Sequence, residues 1–270
     1  MSNDMSKQIQ WFPGHMKSAL DMIRNELGLC DVIIYVLDAR CPKSCINPKF
    51  EEFTSRKPVL FVLNKTDLAG RSGTQPPQPA VYLNSTQSGA GQKVVSSINK
   101  LLADKIKVAA DKGIKKTIRA VVIGVTNCGK STLINNLAGK GKALTGDKPG
   151  VTKSKQWVTV GDLLWVLDTP GTLWPSFGNP QIAKNLAYVG SIKDDILDII
   201  ALSKDLIIDL TKLDPKCFMQ RFGAGDFEGI CKKRGYILKG GVLDEERAAK
   251  AILTEFRAGK LGKFNLDTLL

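Results

Sequence analysis

The sequence Gly124-Val125-Thr126-Asn127-Cys128-Gly129-Lys130-Ser131 is the most informative motif of this 270-residue chain. It matches the pattern G-x-x-x-x-G-K-[ST], in which glycines let backbone N–H groups surround phosphate oxygens, while the lysine and the hydroxyl supply charge and a Mg²⁺ ligand. The apolar run Ile118 to Ile123 precedes the motif, and a helical pattern covers Ser131 to Leu137 after it. This strand, loop and helix context predicts an α/β fold with a phosphate-binding loop.

A second motif, Asn64-Lys65-Thr66-Asp67, lies about sixty positions upstream and follows the apolar run 59–63. Guanine presents its N1–H and its exocyclic amine side by side, so one carboxylate can accept from both, whereas adenine has an acceptor at N1 and no amine at C2. Hydrogen-bond discrimination of this kind reaches about 10⁴-fold or more. Asp67 is therefore predicted to select GTP over ATP.

The two motifs predict a contact for each neighbouring side chain. We expect Asn64 to brace the loop, Lys65 to lay its aliphatic stem along the ring, and Asn84-Ser85 to cover the guanine carbonyl. Backbone amides of the loop and the following helix N-terminus would hold the phosphates, and Lys130 would reach the β and γ oxygens. The predicted nucleotide contacts are Asn64, Lys65, Thr66, Asp67, Asn84, Ser85, Asn127, Cys128, Gly129, Lys130, Ser131, Thr132 and Gly171.

Three oxygen-bearing side chains are candidates for holding Mg²⁺. Ser131 would ligate the ion, and Asp168, at the end of the apolar run 163–167, would hold it through water molecules. Thr152 is the candidate second hydroxyl ligand. A plain surface threonine is the alternative at that position.

The order of the motifs is the reverse of that in an ordinary GTPase, where the phosphate loop comes first. This order predicts a circular permutation, which a fold tolerates because domain termini lie at the surface and are often close together. We expect a permuted domain with a mostly parallel sheet flanked by helices over residues 1–175. Only helical patterns follow, such as Ile182, Leu186 and Val189, and Asp244 is the N-cap candidate of the last one. They predict a small all-α domain over residues 176–270.

Positive charge is concentrated in one stretch of the chain. Residues 93–155 hold fourteen Lys and Arg residues against three acids, whereas the formal net charge of the whole chain is +13. A bound GTP needs only a few cations, so the surplus favours a larger polyanion, and nucleic acid is the obvious candidate. The pattern predicts a single basic helix from about Gly91 to Ala110. The alternative is a solvated helix face that only aids solubility.

Membrane and metal-cluster proteins are disfavoured. No apolar run approaches the roughly 20 residues needed to cross a bilayer, and Met1 to Trp11 lacks the layout of a signal peptide. We therefore expect a soluble intracellular protein without a membrane span. The six cysteines are scattered and the chain has one histidine, which favours reduced structural thiols over a metal site.

Several motifs together carry a family resemblance. They are Ile9 to Met16, Asn64 to Asp67, Asn84-Ser85, Gly124 to Thr132, Pro149 to Thr152, and Asp168 to Gly171 with Trp174-Pro175. With them the chain resembles the circularly permuted ribosome biogenesis GTPase A family over nearly its whole length. We expect the protein to use GTP/GDP and Mg²⁺ and to be a monomer. The resemblance implies that it is a cytoplasmic GTPase. It also implies action late in assembly of the large ribosomal subunit, with a C-terminal helical domain that contacts ribosomal RNA.

The hydrolytic machinery is the least determined part of the sequence. Many GTPases carry a glutamine that orients water directly after the equivalent of Gly171, and this chain has Thr172 instead. We therefore expect slow intrinsic turnover. Lys130 is a catalytic candidate through its contact with the γ-phosphate. Three sources of further help stay open: a potassium ion on Asn127, the side chain of His15, or a group supplied by the ribosome. His15 is alternatively a packing or RNA-stacking residue.

Thr126 and Cys128 depart from the family pattern, and Cys128 predicts a sensitivity to oxidation.

Two alternative functions stay open. One is a GTP-dependent switch that acts on protein effectors, and the other is an RNA chaperone that keeps a nucleotide for stability. The charge of residues 93–155 disfavours the first, and the intact set of Lys130, Ser131 and Asp168 disfavours the second.

Overall fold

The computed structural model of the chain describes residues 14–70, 76–139 and 156–270. These residues form two compact units. The first comprises residues 14–66, 76–139 and 156–175, and the second comprises residues 67–70 and 176–270. The short segment 67–70, which includes Asp67, is thus grouped with the C-terminal helices. The division into domains 1–175 and 176–270 stays a prediction.

Six described strands form one sheet in the first unit. They are β1 (Val32–Asp38), β2 (Val59–Asn64), β3 (Ala80–Tyr82), β4 (Ile118–Ile123), β5 (Gln156–Val160) and β6 (Leu164–Asp168). Their order is β3-β2-β1-β4-β6-β5, and all neighbours are parallel except β5 and β6. Every residue of β1 is buried, as expected for a central strand covered on both faces. The mostly parallel sheet confirms the predicted α/β class.

The strand that leads into the phosphate loop lies in the middle of this sheet. β4 lies between β1, the first described strand, and β6, the last. The strands β2 and β3 extend from β1 to one edge, and β6 and β5 extend from β4 to the other. Ligands of open α/β sheets bind beyond the carboxyl ends of the strands at such a reversal of order. A phosphate loop on β4, with the base-reading motif upstream on β2, is the circularly permuted arrangement that the sequence predicts.

Five described helices belong to the first unit: α1 (Gly14–Leu27), α2 (Glu51–Thr54), α3 (Ala90–Leu101), α4 (Ala103–Asp111) and α5 (Lys130–Ala138). The single basic helix predicted for residues 91–110 is wrong. Leu102 leaves the helical conformation, with φ −107° and ψ 18°, and its side chain is buried. α4 has no buried residue, and its Val108 is 55% exposed.

The second unit is helical. Its helices are α6 (Pro180–Tyr188), α7 (Ile199–Leu213), α8 (Cys217–Phe222), α9 (Phe227–Arg234) and α10 (Glu245–Arg257). Asp244 caps α10 by accepting a hydrogen bond from the Arg247 N–H, which confirms the predicted N-cap. α7 packs on α10, and buried side chains such as Leu206 and Ile252 fill the core. Within the described ranges, no helix is long and apolar enough to cross a membrane.

Candidate nucleotide site

Two glycines allow the phosphate loop to pack tightly between β4 and α5. Gly124 has φ +151°, and a Cβ there would lie 2.4 Å from the backbone oxygen of Val36 in β1. Gly129 has φ +98°, and a Cβ there would lie 2.1 Å from Nδ2 of Asn64. Such contacts are too short for any side chain, so glycine is required at both positions. Asn127, with φ 56°, completes the left-handed turns of the loop.

The ammonium group of Lys130 lies inside the loop that it follows. Its Nζ donates hydrogen bonds to the backbone oxygens of Gly124, at 3.1 Å, and Val125, at 2.8 Å. The side chain is buried. A Cβ added at Gly171 would lie 2.9 Å from the same Nζ. The positive charge is therefore concentrated where the loop and the segment after β6 meet, as a phosphate site requires.

Asn64 joins the base-reading motif to the phosphate loop. Its Nδ2 donates to the backbone oxygen of Cys128 at 2.9 Å. Its Oδ1 accepts from the backbone N–H of Ser85 at 2.9 Å and from the Ser85 hydroxyl at 2.8 Å. Asn64 and Ser85 are both buried. One side chain thus ties together the three segments that the sequence assigns to base and phosphate binding.

Lys65 is held by a buried carboxylate that the sequence analysis did not assign to the site. Its Nζ lies 3.0 Å from Oδ2 of Asp38 and donates to the backbone oxygen of Asn127 at 2.6 Å. Arg40 donates to both oxygens of Asp38, at 2.9 and 2.7 Å. Burial alone raises the pKa of Asp38, but Lys65 and Arg40 outweigh it and lower that pKa to about 2. Asp38 is therefore ionised and fixes the lysine stem against the phosphate loop.

A signal for Asp38 exists in the sequence. It ends a fully apolar strand, as Asn64 does, and the register pairs these two residues directly. Carboxyl ends of neighbouring parallel strands meet at the ligand edge of the sheet. A polar residue at that position is consequently a candidate for the site.

The remaining base-side residues lie on the loops after β2 and β3. The Thr66 N–H donates to the backbone oxygen of Leu83 at 3.3 Å. Oδ1 of Asn84 accepts from the N–H of Thr86 at 2.9 Å and from its hydroxyl at 2.7 Å, so Asn84 orders its own loop. Asp67 and Thr132 are exposed. The nucleotide contacts predicted for these residues stay predictions.

The segment after β6 lies against the phosphate loop. The Thr169 hydroxyl donates to the backbone oxygen of Val122, and the Thr172 N–H donates to the backbone oxygen of Gly124 at 3.3 Å. Asp168, the last residue of β6, is buried. A carboxylate here and the Ser131 hydroxyl in the first turn of α5 are the hard oxygen donors that suit Mg²⁺. The donor set therefore fits the ion that the sequence predicts.

Comparison with known proteins identifies the family. A family model described as "50S ribosome-binding GTPase" matches residues 119–220, a stretch that begins with β4 and leaves out the upstream Asn64 to Asp67. Ribosome biogenesis GTPase A of Priestia megaterium is 39% identical over 96% of this chain and 96% of its own length. The protein of the same name from Bacillus cereus is 39% identical over 96% of this chain and 94% of its own. The chain belongs to the ribosome biogenesis GTPase A family.

A solved structure agrees with this assignment. The crystal structure of GNP-bound YlqF from T. maritima is 26% identical in sequence and covers 91% of this chain and 95% of its own, with a TM-score of 0.60. As in the sequence relatives, the similarity extends over both the sheet and the C-terminal helices. For this member of the ribosome biogenesis GTPase A family, the structural similarity thus covers 91% of the chain.

The catalytic candidates differ in what the structure describes. Asn127 is exposed, and its backbone oxygen accepts the hydrogen bond from Lys65. His15 lies in α1, but its side chain is outside the described part of the chain, and Thr152 lies outside the described residues altogether. Their predicted roles stay predictions.

The expected sensitivity of Cys128 to oxidation is wrong. The side chain is fully buried, and a Cβ at Gly124 would lie 3.0 Å from its Sγ. Burial raises the pKa of the Cys128 thiol even though Lys130 lowers it. A buried thiol that stays protonated is a poor nucleophile, so Cys128 acts as a packing residue under the loop.

Proposed function

We propose that this chain is a GTP-binding and GTP-hydrolysing assembly factor for the large ribosomal subunit, which binds ribosomal RNA and is released on hydrolysis. One observation carries the proposal. Asn64 joins the base-reading motif, the Ser85 loop and the phosphate loop by hydrogen bonds of 2.8 to 2.9 Å, in a chain whose relatives are named ribosome biogenesis GTPase A.

Guanine selection follows from the chemistry of the base-side residues. Asp67 directly follows the braced Asn64-Lys65-Thr66 segment and supplies a carboxylate that accepts from N1–H and the amine of guanine. The stem of Lys65 lies along the ring, since Asp38 and the phosphate loop fix its ammonium end. An adenine would leave the carboxylate without its two donors, and this penalty gives the selectivity.

Phosphate binding and hydrolysis use the loop itself. Amides from Asn127 to Thr132 surround the phosphates, and Lys130 exchanges its bonds to loop oxygens for bonds to the β and γ oxygens. Ser131 and Asp168 would hold Mg²⁺, which neutralises charge on the phosphate oxygens. The Gly171 amide senses the γ-phosphate, because its segment already lies against the loop.

Turnover is slow without the subunit because Thr172 stands where a water-orienting glutamine is found in many GTPases. Thr172 is fully buried. We infer that Asn127, which is exposed at the rim of the loop, holds a potassium ion. His15, or a group of the ribosomal subunit, is the other candidate for assisting hydrolysis. Docking on the subunit thereby couples hydrolysis to release, in the cytoplasm and with the protein as a monomer.

RNA binding is supported by the surface of α3 and α4, including the residues that follow α4. Six lysines there are exposed: Lys93, Lys100, Lys105, Lys107, Lys112 and Lys115. No residue of α4 is buried, so its lysines are accessible to phosphates, although Lys105 also pairs with Asp31. Contacts to a phosphate backbone make affinity fall steeply with salt.

The test is co-sedimentation with purified large ribosomal subunits, with a non-hydrolysable GTP analogue or with GDP, at rising salt. We expect binding with the analogue, loss of binding with GDP, and a steep loss with salt. Lys130→Ala, which lacks the phosphate-binding ammonium, is the control for nucleotide dependence. Binding that is absent, or indifferent to both nucleotide and salt, would contradict the proposal and favour the switch that acts on protein effectors.

A further inference from the structure

Asn136 connects the helix of the phosphate loop to the loop that covers the base. It lies on α5, six residues after Lys130. Its Nδ2 donates to the backbone oxygens of Ser85, at 3.1 Å, and Gln87, at 2.8 Å. Its Oδ1 accepts from the backbone N–H of Gly91 at 2.8 Å. Both amide hydrogens and the carbonyl oxygen are thus used on backbone groups of a single segment, residues 85–91.

These bonds close a ring of contacts around the site. The backbone oxygen of Ser85 accepts a hydrogen bond from Asn136, and the Ser85 N–H and hydroxyl both donate to Asn64. Asn64 in turn donates to the backbone oxygen of Cys128 in the phosphate loop. That loop continues into α5, which carries Asn136. The base-side loop is therefore held from two directions, by Asn64 at its start and by Asn136 from the side.

The segment also lies directly on α5. A Cβ at Gly91 would lie 2.9 Å from the backbone oxygen of Asn136 and 3.0 Å from Cα of Leu137. The absence of a side chain at Gly91 lets α3 approach α5 closely enough for the Asn136 bonds to form. Because interiors are close-packed, such a contact fixes a distance rather than allowing a range.

We propose that Asn136 is a positioning residue for the guanine end of the bound nucleotide. This role rests on the proposed function, because it requires that Asn84-Ser85 covers the guanine carbonyl. By fixing residues 85–91 to α5, Asn136 sets the distance between the base loop and the phosphate loop, so that base and phosphates are bound together. Its hydrogen bonds do not involve Lys130 or the Cys128 oxygen, so its loss leaves the phosphate loop intact and affects the base.

The test compares GDP with ADP, which shares the ribose and phosphates but lacks the guanine edge. For Asn136→Ala in the full chain, we expect the affinity for GDP to fall about tenfold and the affinity for ADP to stay unchanged. The preference for GDP over ADP then falls by the same factor. Asn136→Asp keeps the acceptor for the Gly91 N–H but lacks the donors to Ser85 and Gln87, so it should bind GDP as weakly as the alanine variant.

Asn99→Ala is the matched control, because Asn99 is exposed on α3 and lines the same cleft of about 420 Å³ as Asn136. It should bind both nucleotides as the wild type does. Equal losses for GDP and ADP, accompanied by a lower unfolding midpoint, would make Asn136 a structural residue and overturn the inference. Unchanged GDP binding in both Asn136 variants would also overturn it. A wild-type protein that binds no GDP would overturn the proposed function itself.

Discussion

Asn64→Ala removes three buried hydrogen bonds with one substitution. They are the bonds to the Cys128 oxygen at 2.9 Å, from the Ser85 N–H at 2.9 Å and from the Ser85 hydroxyl at 2.8 Å. A buried hydrogen bond contributes about 1 kcal/mol net, so their loss should lower the free energy of unfolding by about 3 kcal/mol. For a unit of this size each kcal/mol lowers the melting temperature by about 2–4 °C, which gives about 6–12 °C in total.

The assay is thermal unfolding of the nucleotide-free protein by circular dichroism, followed by GDP titration of the folded variant. Asn64→Asp separates the bonds, because it keeps the acceptor for Ser85 but places a carboxylate against the Cys128 oxygen. Asn99→Ala, an exposed asparagine in the same unit, is the control for loss of an amide at the surface. We expect no change in the melting temperature of the control.

A melting temperature of Asn64→Ala that matches the wild type would contradict this role of Asn64. It would show that the three segments stay together without Asn64. Unchanged GDP affinity in the same variant would show further that Asn64 does not couple the base loop to the phosphate loop.

Three further predictions concern the same site and the basic surface. Gly129→Ala places a Cβ 2.1 Å from Asn64 Nδ2 at φ +98°, so GDP affinity measured by calorimetry should fall at least about tenfold, and an unchanged affinity would count against the loop geometry. Asp38→Asn removes the carboxylate whose pKa lies at about 2 rather than 3.8, a shift that contributes about 2 kcal/mol to the free energy of unfolding. This contribution is present above about pH 4 and lost as the pH falls through about 2, so denaturant unfolding of variant and wild type should converge in acid. The double variant Lys107→Glu/Lys112→Glu should lower the salt slope of subunit binding by about 2, whereas Lys17→Glu/Lys49→Glu, with the same charge change on other exposed lysines, should not.

Local patterns were sufficient for the parts of the fold that local forces determine. The apolar runs 59–63 and 118–123 form β2 and β4 as predicted, because parallel strands covered on both faces need continuous apolar side chains. The N-cap of α10 at Asp244 is equally local. The two nucleotide motifs were predictable as well, because each carries its chemistry within a few residues.

Contacts between distant segments were not predictable in this way. Asn136 lies within a helical pattern as an ordinary polar residue, and only the packing of α3 on α5 brings the Gly91 N–H to it from 45 positions away. The interruption at Leu102 was missed because lysines and apolar residues continue the helical pattern across it. The role of Asp38 depends on the register of β1 and β2, which places Lys65 beside it.

The decisive experiment measures GTP hydrolysis in potassium buffer, with and without purified large ribosomal subunits. Lys130→Ala provides the blank, because it lacks the ammonium group held inside the loop. A slow rate that rises strongly with subunits is the predicted result. A rate that subunits leave unchanged would contradict the claim that this GTPase acts on the large ribosomal subunit.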